Sequence, residues 1–154
     1  MKYRAALLSI VLLIWSNISS ATESFTEVRE FFNKITNLSN SYDVSVVKYY
    51  SDDAKIGTIR TYPTGMKRSL ELTGKQWKEL IIKAMPLAKL KNDKSTMSNI
   101  EVIKKENGYK ISAHRYSHLR CYTDKQYYMV IIPDINNSFV IVEEFMATQP
   151  NSDC

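Results

Sequence analysis

The chain has 154 residues, 44% of them hydrophobic, which is enough for one globular domain with a substantial core. Its 21 Lys and Arg residues exceed its 16 Asp and Glu residues, giving a net charge of +5. Because basic and acidic residues are interleaved along most of the chain, we expect no nucleic-acid partner.

The first 21 residues have the pattern of a secretory signal peptide. Two basic residues precede an apolar run from Ala5 to Trp15, and the small residues Ser19 and Ala21 match a cleavage site. The apolar run is too short to span a bilayer. We therefore expect a signal peptide over residues 1–21 and a single exported domain over 22–154, periplasmic or secreted, with no integral membrane segment. An uncleaved N-terminal anchor is the alternative.

The N-terminal part of the exported domain has the periodicity of helices. Apolar residues recur at three- and four-residue steps from Ser24 to Asn40, which is typical of an amphipathic helix. Ser24 and Glu27 form a capping box at its start. Asp43 is the expected cap of a second helix over residues 44–50. The apolar face of the first helix comprises Phe25, Val28, Phe31, Phe32, Ile35 and Leu38.

A hairpin and a third helix follow. Residues 54–62 and 67–72 are rich in β-forming side chains, and a Pro-Thr-Gly turn separates them. Thr73 and Gln76 form a further capping box, and the apolar residues behind them predict an amphipathic helix. We interpret residues 91–98 as a polar linker.

The C-terminal half predicts an antiparallel meander of four strands. The first strand ends at the Asn107-Gly108 turn, which favours a tight hairpin. The others span residues 109–121, 126–133 and 138–148. Helices grouped with an antiparallel sheet indicate an α+β architecture.

The two cysteines of the exported domain are Cys121 and Cys154. In an oxidising compartment such a pair is expected to be joined, and the spacing is not the C-x-x-C of a reactive pair. We therefore predict a structural disulfide bond between them.

The order of elements resembles the nuclear transport factor 2-like superfamily, also called the polyketide cyclase or ketosteroid isomerase-like fold. The resemblance also rests on residues 49–56, Tyr-Tyr-Ser-Asp-Asp-Ala-Lys-Ile, which are similar to the family's helix-to-strand passage, and on the strand at residues 139–142. It implies a cone-shaped, curved antiparallel sheet wrapped around the N-terminal helices in a cystatin-like α+β roll. It also implies a pocket at the open end of the cone and a homodimer formed through the sheet.

The catalytic positions of the ketosteroid isomerases in that superfamily are not matched here. The acidic residue that serves as their general base would fall within residues 54–58, which contain no carboxylate. Their oxyanion-binding tyrosine would fall near Phe31 or Phe32, which have no hydroxyl group. We therefore favour a non-catalytic protein over an enzyme, and we expect no cofactor.

Alternation along the strands identifies candidates for the pocket. Arg115 shares a face with Ile111, so we expect it to project into the wide end of the cone. Glu143 shares the parity of Ile141 and should point inward to pair with Arg115 or Arg60, because a buried charge is tolerated chiefly when paired. Such a pair either serves a ligand or simply closes the core. The full set of pocket candidates is Arg115, Glu143, Arg60, Tyr50, Tyr62, Trp77 and Phe32.

Two histidines, His114 and His118, lie with Tyr116 on the opposite face of the same strand. A metal site needs further ligands, and no recognisable pattern completes one, so we expect no metal. We place these side chains on the outer face of the sheet, in solvent or in an interface.

Three functional hypotheses follow. The leading one is an exported, non-catalytic domain that binds a small apolar or amphipathic ligand in the cone, or docks a protein partner through its sheet. The main alternative is an enzyme that uses Arg115, Glu143 or Asp53 with a tyrosine. A structural component of an envelope assembly is the third.

Overall fold

A computed structural model describes residues 25–135, 138–150 and 154. Helix α1 occupies residues 25–40, and a 3₁₀ helix spans Val44–Tyr49. Helix α2 spans Gly74–Leu90. None of the helices in these ranges is long and apolar enough to cross a membrane. The strands are β1 (Tyr50–Thr61), β2 (Lys67–Thr73), β3 (Ser95–Lys105), β4 (Gly108–Ser117), β5 (Tyr122–Asp124), β6 (Tyr128–Pro133) and β7 (Phe139–Thr148).

The strands of the described residues form one seven-stranded sheet in the order β2-β1-β7-β6-β4-β3, with β5 pairing with β4. The predicted α+β class is therefore confirmed. All pairs are antiparallel except β1 and β7, which run parallel and make the sheet mixed. The hairpins fix antiparallel neighbours, whereas β1 and β7 come from opposite ends of the domain and no turn sets their direction.

The core lies between α1 and the sheet. The predicted apolar face of α1 is confirmed, because Val28, Phe31, Phe32 and Ile35 are buried and the remaining two members pack against them. The ring of Phe31 meets Tyr49 and Phe139 edge-on, with ring centroids 5.7 and 5.5 Å away. These contacts join α1 to the 3₁₀ helix before β1 and to the start of β7.

The predicted caps of the later helices are confirmed. Asp43 accepts a hydrogen bond from the backbone N–H of Ser45, although the helix that it starts is 3₁₀ and gives way to β1 at Tyr50. At α2 the capping box of Thr73 and Gln76 is complete. The predicted Ser24 cap and the predicted signal peptide lie outside the described residues.

The predicted polar linker over residues 91–98 is partly wrong. Ser95 already begins β3, and residues 95–98 pair with residues 114–117 of β4. This part of β3 is an edge strand with many exposed side chains, so its sequence lacks the apolar character by which strands are recognised. The strand expected over residues 109–121 ends at Ser117 instead. A turn over residues 118–121, with a φ of 48° at Cys121, leads into the short strand β5, which was not predicted.

Helix α2 is positioned by its first residue. A Cβ atom on Gly74 would lie 1.8 Å from the carbonyl oxygen of Ser51, so only glycine allows this close approach to β1. Within α2, every residue of which is described, Gly74 alone is buried. The start of the helix therefore packs closely on β1, while its remaining side chains stay exposed or only partly buried.

The predicted disulfide bond is present. Cys121 and Cys154 are joined with a Cα–Cα distance of 5.7 Å and a separation of 33 residues. The bond fastens the C-terminal end of the chain to the turn after β4.

Replacing both cysteines with serine should lower the free energy of unfolding by roughly 3–4 kcal/mol, because the unfolded chain regains the entropy of a closed loop of this length. Urea denaturation of the oxidised wild type and of the Cys121→Ser/Cys154→Ser variant measures the difference. Reduced wild type should match the variant, and a reductant should leave the variant unchanged. A loss below about 1 kcal/mol would contradict a stabilising role.

Candidate functional site

A cavity of about 390 Å³ lies between α1, α2 and the concave face of the sheet. Helix α1 contributes its C-terminal half, including Ile35, and α2 contributes the side of the helix that carries Trp77 and Ile81. The sheet closes the far side with Tyr50 and Met146. The lining is predominantly apolar, as expected for a small-molecule site.

The floor of the cavity holds a buried carboxyl group. Glu144 is only 5% exposed, and both of its oxygens accept hydrogen bonds from phenols. The Tyr50 hydroxyl donates to Oε2 at 2.6 Å, and the Tyr127 hydroxyl donates to Oε1 at 2.7 Å. These short distances are typical of charge-assisted bonds.

Burial dominates the electrostatics of this cluster. It raises the pKa of Glu144, while the two phenolic hydrogen bonds and the charge of Arg115 offset part of the rise. Burial and the neighbouring Glu144 carboxylate raise the pKa of Tyr50 and of Tyr127 well above the usual value for a phenol. Both tyrosines therefore remain hydrogen-bond donors at neutral pH.

A β-bulge in β7 turns Glu144 inward. In the pairing with β6, Ile141 lies opposite Ile131 and Glu143 lies opposite Val130, so Val142 is an extra residue on β7. The alternation of faces is inverted beyond that point. As a result Ile141 and Glu144, three residues apart, are both buried on the concave side.

Arg115 lies at the edge of the cavity, with its side chain 16% exposed. Its guanidinium group donates to the carbonyl oxygen of Ala147 at 3.1 Å and lies 3.6 Å from the Asp124 carboxylate. Asp124 is itself buried and accepts from the backbone N–H groups of Gln126 and Ala147. Arg115 is thus held by an acid that the backbone fixes in place.

Two polar atoms of the cavity walls are buried without a hydrogen-bond partner among the described residues, Nε1 of Trp77 and Nε of Arg115. The Trp77 indole is nevertheless close enough to Tyr50 to offset part of the rise in the pKa of that phenol. Buried donors of this kind are rare in folded proteins and are usually satisfied by water or a ligand.

A second, polar depression of about 250 Å³ adjoins the cavity. We call it the arginine depression. Arg115 and Asp93 line both the cavity and the depression, so the two spaces meet around these residues. The lining of the arginine depression comprises Arg60, Asp93, Arg115, Ser117, Arg120, Tyr122 and Thr148.

The structure brings together some of the predicted pocket residues and separates others. Arg115, Tyr50 and Trp77 line the cavity, and Arg60 lines the arginine depression beside Arg115. Phe32 is buried in the core behind the cavity. The guanidinium carbon of Arg60 lies over the Tyr62 ring, 4.9 Å from the ring centroid. Tyr62 lines neither the cavity nor the depression.

The predicted inward orientation of Glu143 is wrong, and so are its predicted pairs with Arg115 and Arg60. Because of the bulge at Val142, Glu143 faces the opposite side of the sheet and accepts a 2.6 Å hydrogen bond from the Tyr128 hydroxyl. That bond, together with burial and the charge of Glu143, raises the pKa of Tyr128 to about 12. The partner of Arg115 is Asp124 instead.

The outer face carries a concavity of about 700 Å³ that Glu143 lines with Asp53 and Lys55. The charged side chains of Asp53 and Lys55 are exposed, and among the described residues no buried side-chain N or O atom of this concavity lacks a hydrogen-bond partner. His114 and His118 bond to Asn99 and Thr96 of the neighbouring strand. Among the described residues, no group of three His, Cys, Asp or Glu side chains is arranged to hold a metal ion.

The residues that sequence reasoning missed are Glu144, Asp124 and Arg120. The adjacent pair Glu143-Glu144 is a signal in itself, because two successive strand residues point to opposite faces and one carboxylate must face the core. Asp124 gave no such signal, since it lies in a short strand that the sequence does not reveal.

Comparison with solved structures identifies the fold. An NTF2-like protein with a cystatin-like fold from Novosphingobium aromaticivorans matches 96% of this chain and 91% of its own, with a TM-score of 0.57 and 12% identity. An NTF2-like protein of unknown function from Pseudomonas putida matches 82% and 87%, with a TM-score of 0.61 and 8% identity. A further NTF2-like protein of unknown function, from Shewanella oneidensis, matches 80% and 98%, with a TM-score of 0.57 and 12% identity.

The chain has the NTF2-like fold. No protein-family model matches the sequence, and no curated protein matches it. At these identities the NTF2-like neighbours establish the architecture alone, because one fold supports many unrelated functions. The predicted homodimer and the single-domain organisation of residues 22–154 stay predictions.

The raised pKa of Glu144 should make the free energy of unfolding depend on pH. Because the folded state holds this proton more tightly than the unfolded state, the free energy of unfolding should fall as the pH rises from about 4.5 through the raised pKa. The loss should be about 1.4 kcal/mol for each unit by which the pKa is raised. In Glu144→Gln this component is absent, so the variant should gain on the wild type across that interval.

Urea denaturation at a series of pH values tests this expectation. Glu143→Gln removes the same charge from the other face of the same strand and corrects for the overall charge of the protein. Curves for wild type and Glu144→Gln that stay parallel above pH 4.5 would show that burial does not raise the pKa of Glu144.

Proposed function

We propose that this protein is an exported binding domain that holds a small amphipathic molecule in the cavity between α1 and α2. One observation carries the proposal: a largely apolar space of about 390 Å³ ends on a buried carboxyl group capped by two phenols. Ligand pockets typically measure about 300–1,000 Å³ and combine apolar walls with a few convergent polar groups.

The walls suit a ligand that varies in shape. Met85, Met97 and Met146 line the cavity from α2, β3 and β7. Methionine side chains are flexible and polarisable, so they adapt to irregular apolar surfaces. Trp77 adds a large flat face and an N–H group for an acceptor on the ligand.

The disulfide bond supports the exported location in this proposal. Such bonds persist in oxidising compartments and are rare in the cytosol. The predicted signal peptide would deliver the domain to such a compartment.

Filling the cavity should weaken ligand binding. The neutral, apolar dye N-phenyl-1-naphthylamine fluoresces on transfer from water, so it should bind the wild type saturably. Ala84 lines the cavity from α2, and Ala84→Phe should weaken dye binding by about tenfold or more by occupying that space. Fluorescence titration measures the dissociation constant.

Ile82→Phe is the matched control, because Ile82 is half-exposed on the same helix and does not line the cavity. It should leave the dye affinity unchanged. Equal affinities for the two variants and the wild type would place the dye elsewhere and count against the proposed site.

The raised pKa of Glu144 favours a second candidate, acid–base catalysis on a bound small molecule. Burial in an apolar pocket raises the pKa of a carboxyl group toward neutral pH, which suits proton transfer under physiological conditions. The two tyrosines that donate to Glu144 could then reorient toward an oxygen of the substrate.

Deuterium exchange separates this candidate from simple binding. If Glu144 removes protons from carbon, the wild type in D₂O should accelerate exchange at the α-carbon of a small cyclic ketone, observed by NMR. Glu144→Gln should lose the acceleration, whereas Glu143→Gln should retain it. Exchange at the buffer rate with wild-type protein would rule out this chemistry for the ketone and leave binding as the function.

A further inference from the structure

Three arginines from separate parts of the chain line the arginine depression. Arg60 comes from the end of β1, Arg115 from β4, and Arg120 from the turn that leads to β5. The depression measures about 250 Å³, which is room for a small polar group. Three side chains of like charge repel one another, and an anion bound among them would relieve that repulsion.

The charges of this cluster are only partly neutralised. Arg115 pairs with Asp124 at 3.6 Å, but neither Arg60 nor Arg120 forms an ion pair with any described residue. Asp93 contributes a carboxylate to the lining, whereas Asp124 lies outside it. With three arginines against these two acids, the depression keeps an excess of positive charge.

The depression also has hydrogen-bond donors that suit an anion. Nε of Arg115 is buried and has no partner among the described residues. Ser117, buried at 4% exposure, also lines the depression and carries a hydroxyl group. One guanidinium group can donate two parallel hydrogen bonds to the oxygens of a carboxylate or a phosphate. This donor set therefore matches an oxyanion better than a neutral group.

The position of the depression relates it to the cavity. Both spaces share Arg115 and Asp93, so a molecule that fills the apolar cavity can extend its end between the arginines. Both oxygens of Glu144 are occupied by phenols, and the ring centroid of one of them, Tyr127, lies 6.0 Å from the guanidinium carbon of Arg115. The carboxyl group of Glu144 is therefore shielded from a ligand, whereas the lining of the adjoining depression, with three arginines and Asp93, carries a net positive charge.

We propose that the arginine depression binds the oxyanion head, a carboxylate or a phosphate, of an amphiphile whose apolar body fills the cavity. This inference rests on the proposed function and adds the chemical class of the ligand. Arg60 and Arg120 bind the head directly, and Arg115, fixed by Asp124, marks the boundary between head and tail.

Competition with N-phenyl-1-naphthylamine tests the inference with four ligands of equal chain length: decanoate, decyl phosphate, decanol and decylamine. Decanoate or decyl phosphate should displace the dye at a concentration about tenfold or more below that of decanol and decylamine. In Arg60→Gln/Arg120→Gln this advantage should disappear, while decanol should compete as it does with the wild type.

Lys67→Gln/Arg68→Gln is the control, because it removes two exposed charges from β2 beside Arg60 without touching the depression. It should preserve the preference for anions. Thermal denaturation of both double variants establishes that they are folded.

Calorimetric titration with acetate and inorganic phosphate distinguishes a headgroup from a free anion. Much weaker binding than that of the decyl compounds supports an amphiphile. Equal affinity for phosphate and decyl phosphate, lost in Arg60→Gln/Arg120→Gln, would keep the oxyanion site and overturn the link to the cavity. Equal displacement of the dye by all four decyl ligands would overturn the inference and leave the binding function, whereas failure of the dye to bind would count against the binding function itself.

Discussion

The burial of one carboxyl group sets the conditions for the whole site. Removing the charge of Glu144 from water costs several kcal/mol, and hydrogen bonds from two phenols, each worth about 1.5–3 kcal/mol to a charged group, offset part of that cost. The donors come from the start of β1 and from the segment before β6, while Glu144 lies on β7. A single carboxyl group thereby joins three segments of the chain. The part of the desolvation cost that the hydrogen bonds do not offset appears as the raised pKa of Glu144.

A second buried acid organises the edge of the cavity. Asp124 accepts from the backbone N–H of Ala147 at 2.7 Å, which fastens β5 to β7, and its other contacts are Gln126 and Arg115. Because these bonds hold the carboxylate still, Arg115 has a fixed partner and a fixed direction. Asp124 therefore acts as a positioning residue for the guanidinium group that separates the apolar cavity from the arginine depression.

Local patterns made much of the fold predictable. The face of α1, the capping box at Thr73 and the Asn-Gly hairpin depend on residues close in sequence, and Arg115 lies on the same face of β4 as Ile111, as the alternation indicates, because β4 is regular from Gly108 to Ser117. The orientation of Glu143 and Glu144 depends instead on the bulge at Val142, which exists only in the pairing with β6. The parallel pair of β1 and β7 is likewise a long-range arrangement, so periodicity alone carries no record of it.

The two helices contribute unequally to stability and to the site. Helix α1 buries its apolar face almost completely, whereas the apolar side chains of α2, such as Trp77 and Ile81, are only partly buried and line open space. Protein interiors are normally close-packed, so an unfilled cavity forfeits contact energy that the rest of the core must compensate. The glycine at position 74 and the capping box before it fix where α2 begins, and they hold the helix in place without requiring it to fill the cavity. A fold that buries the apolar face of one helix can in this way leave the other helix to line a cavity.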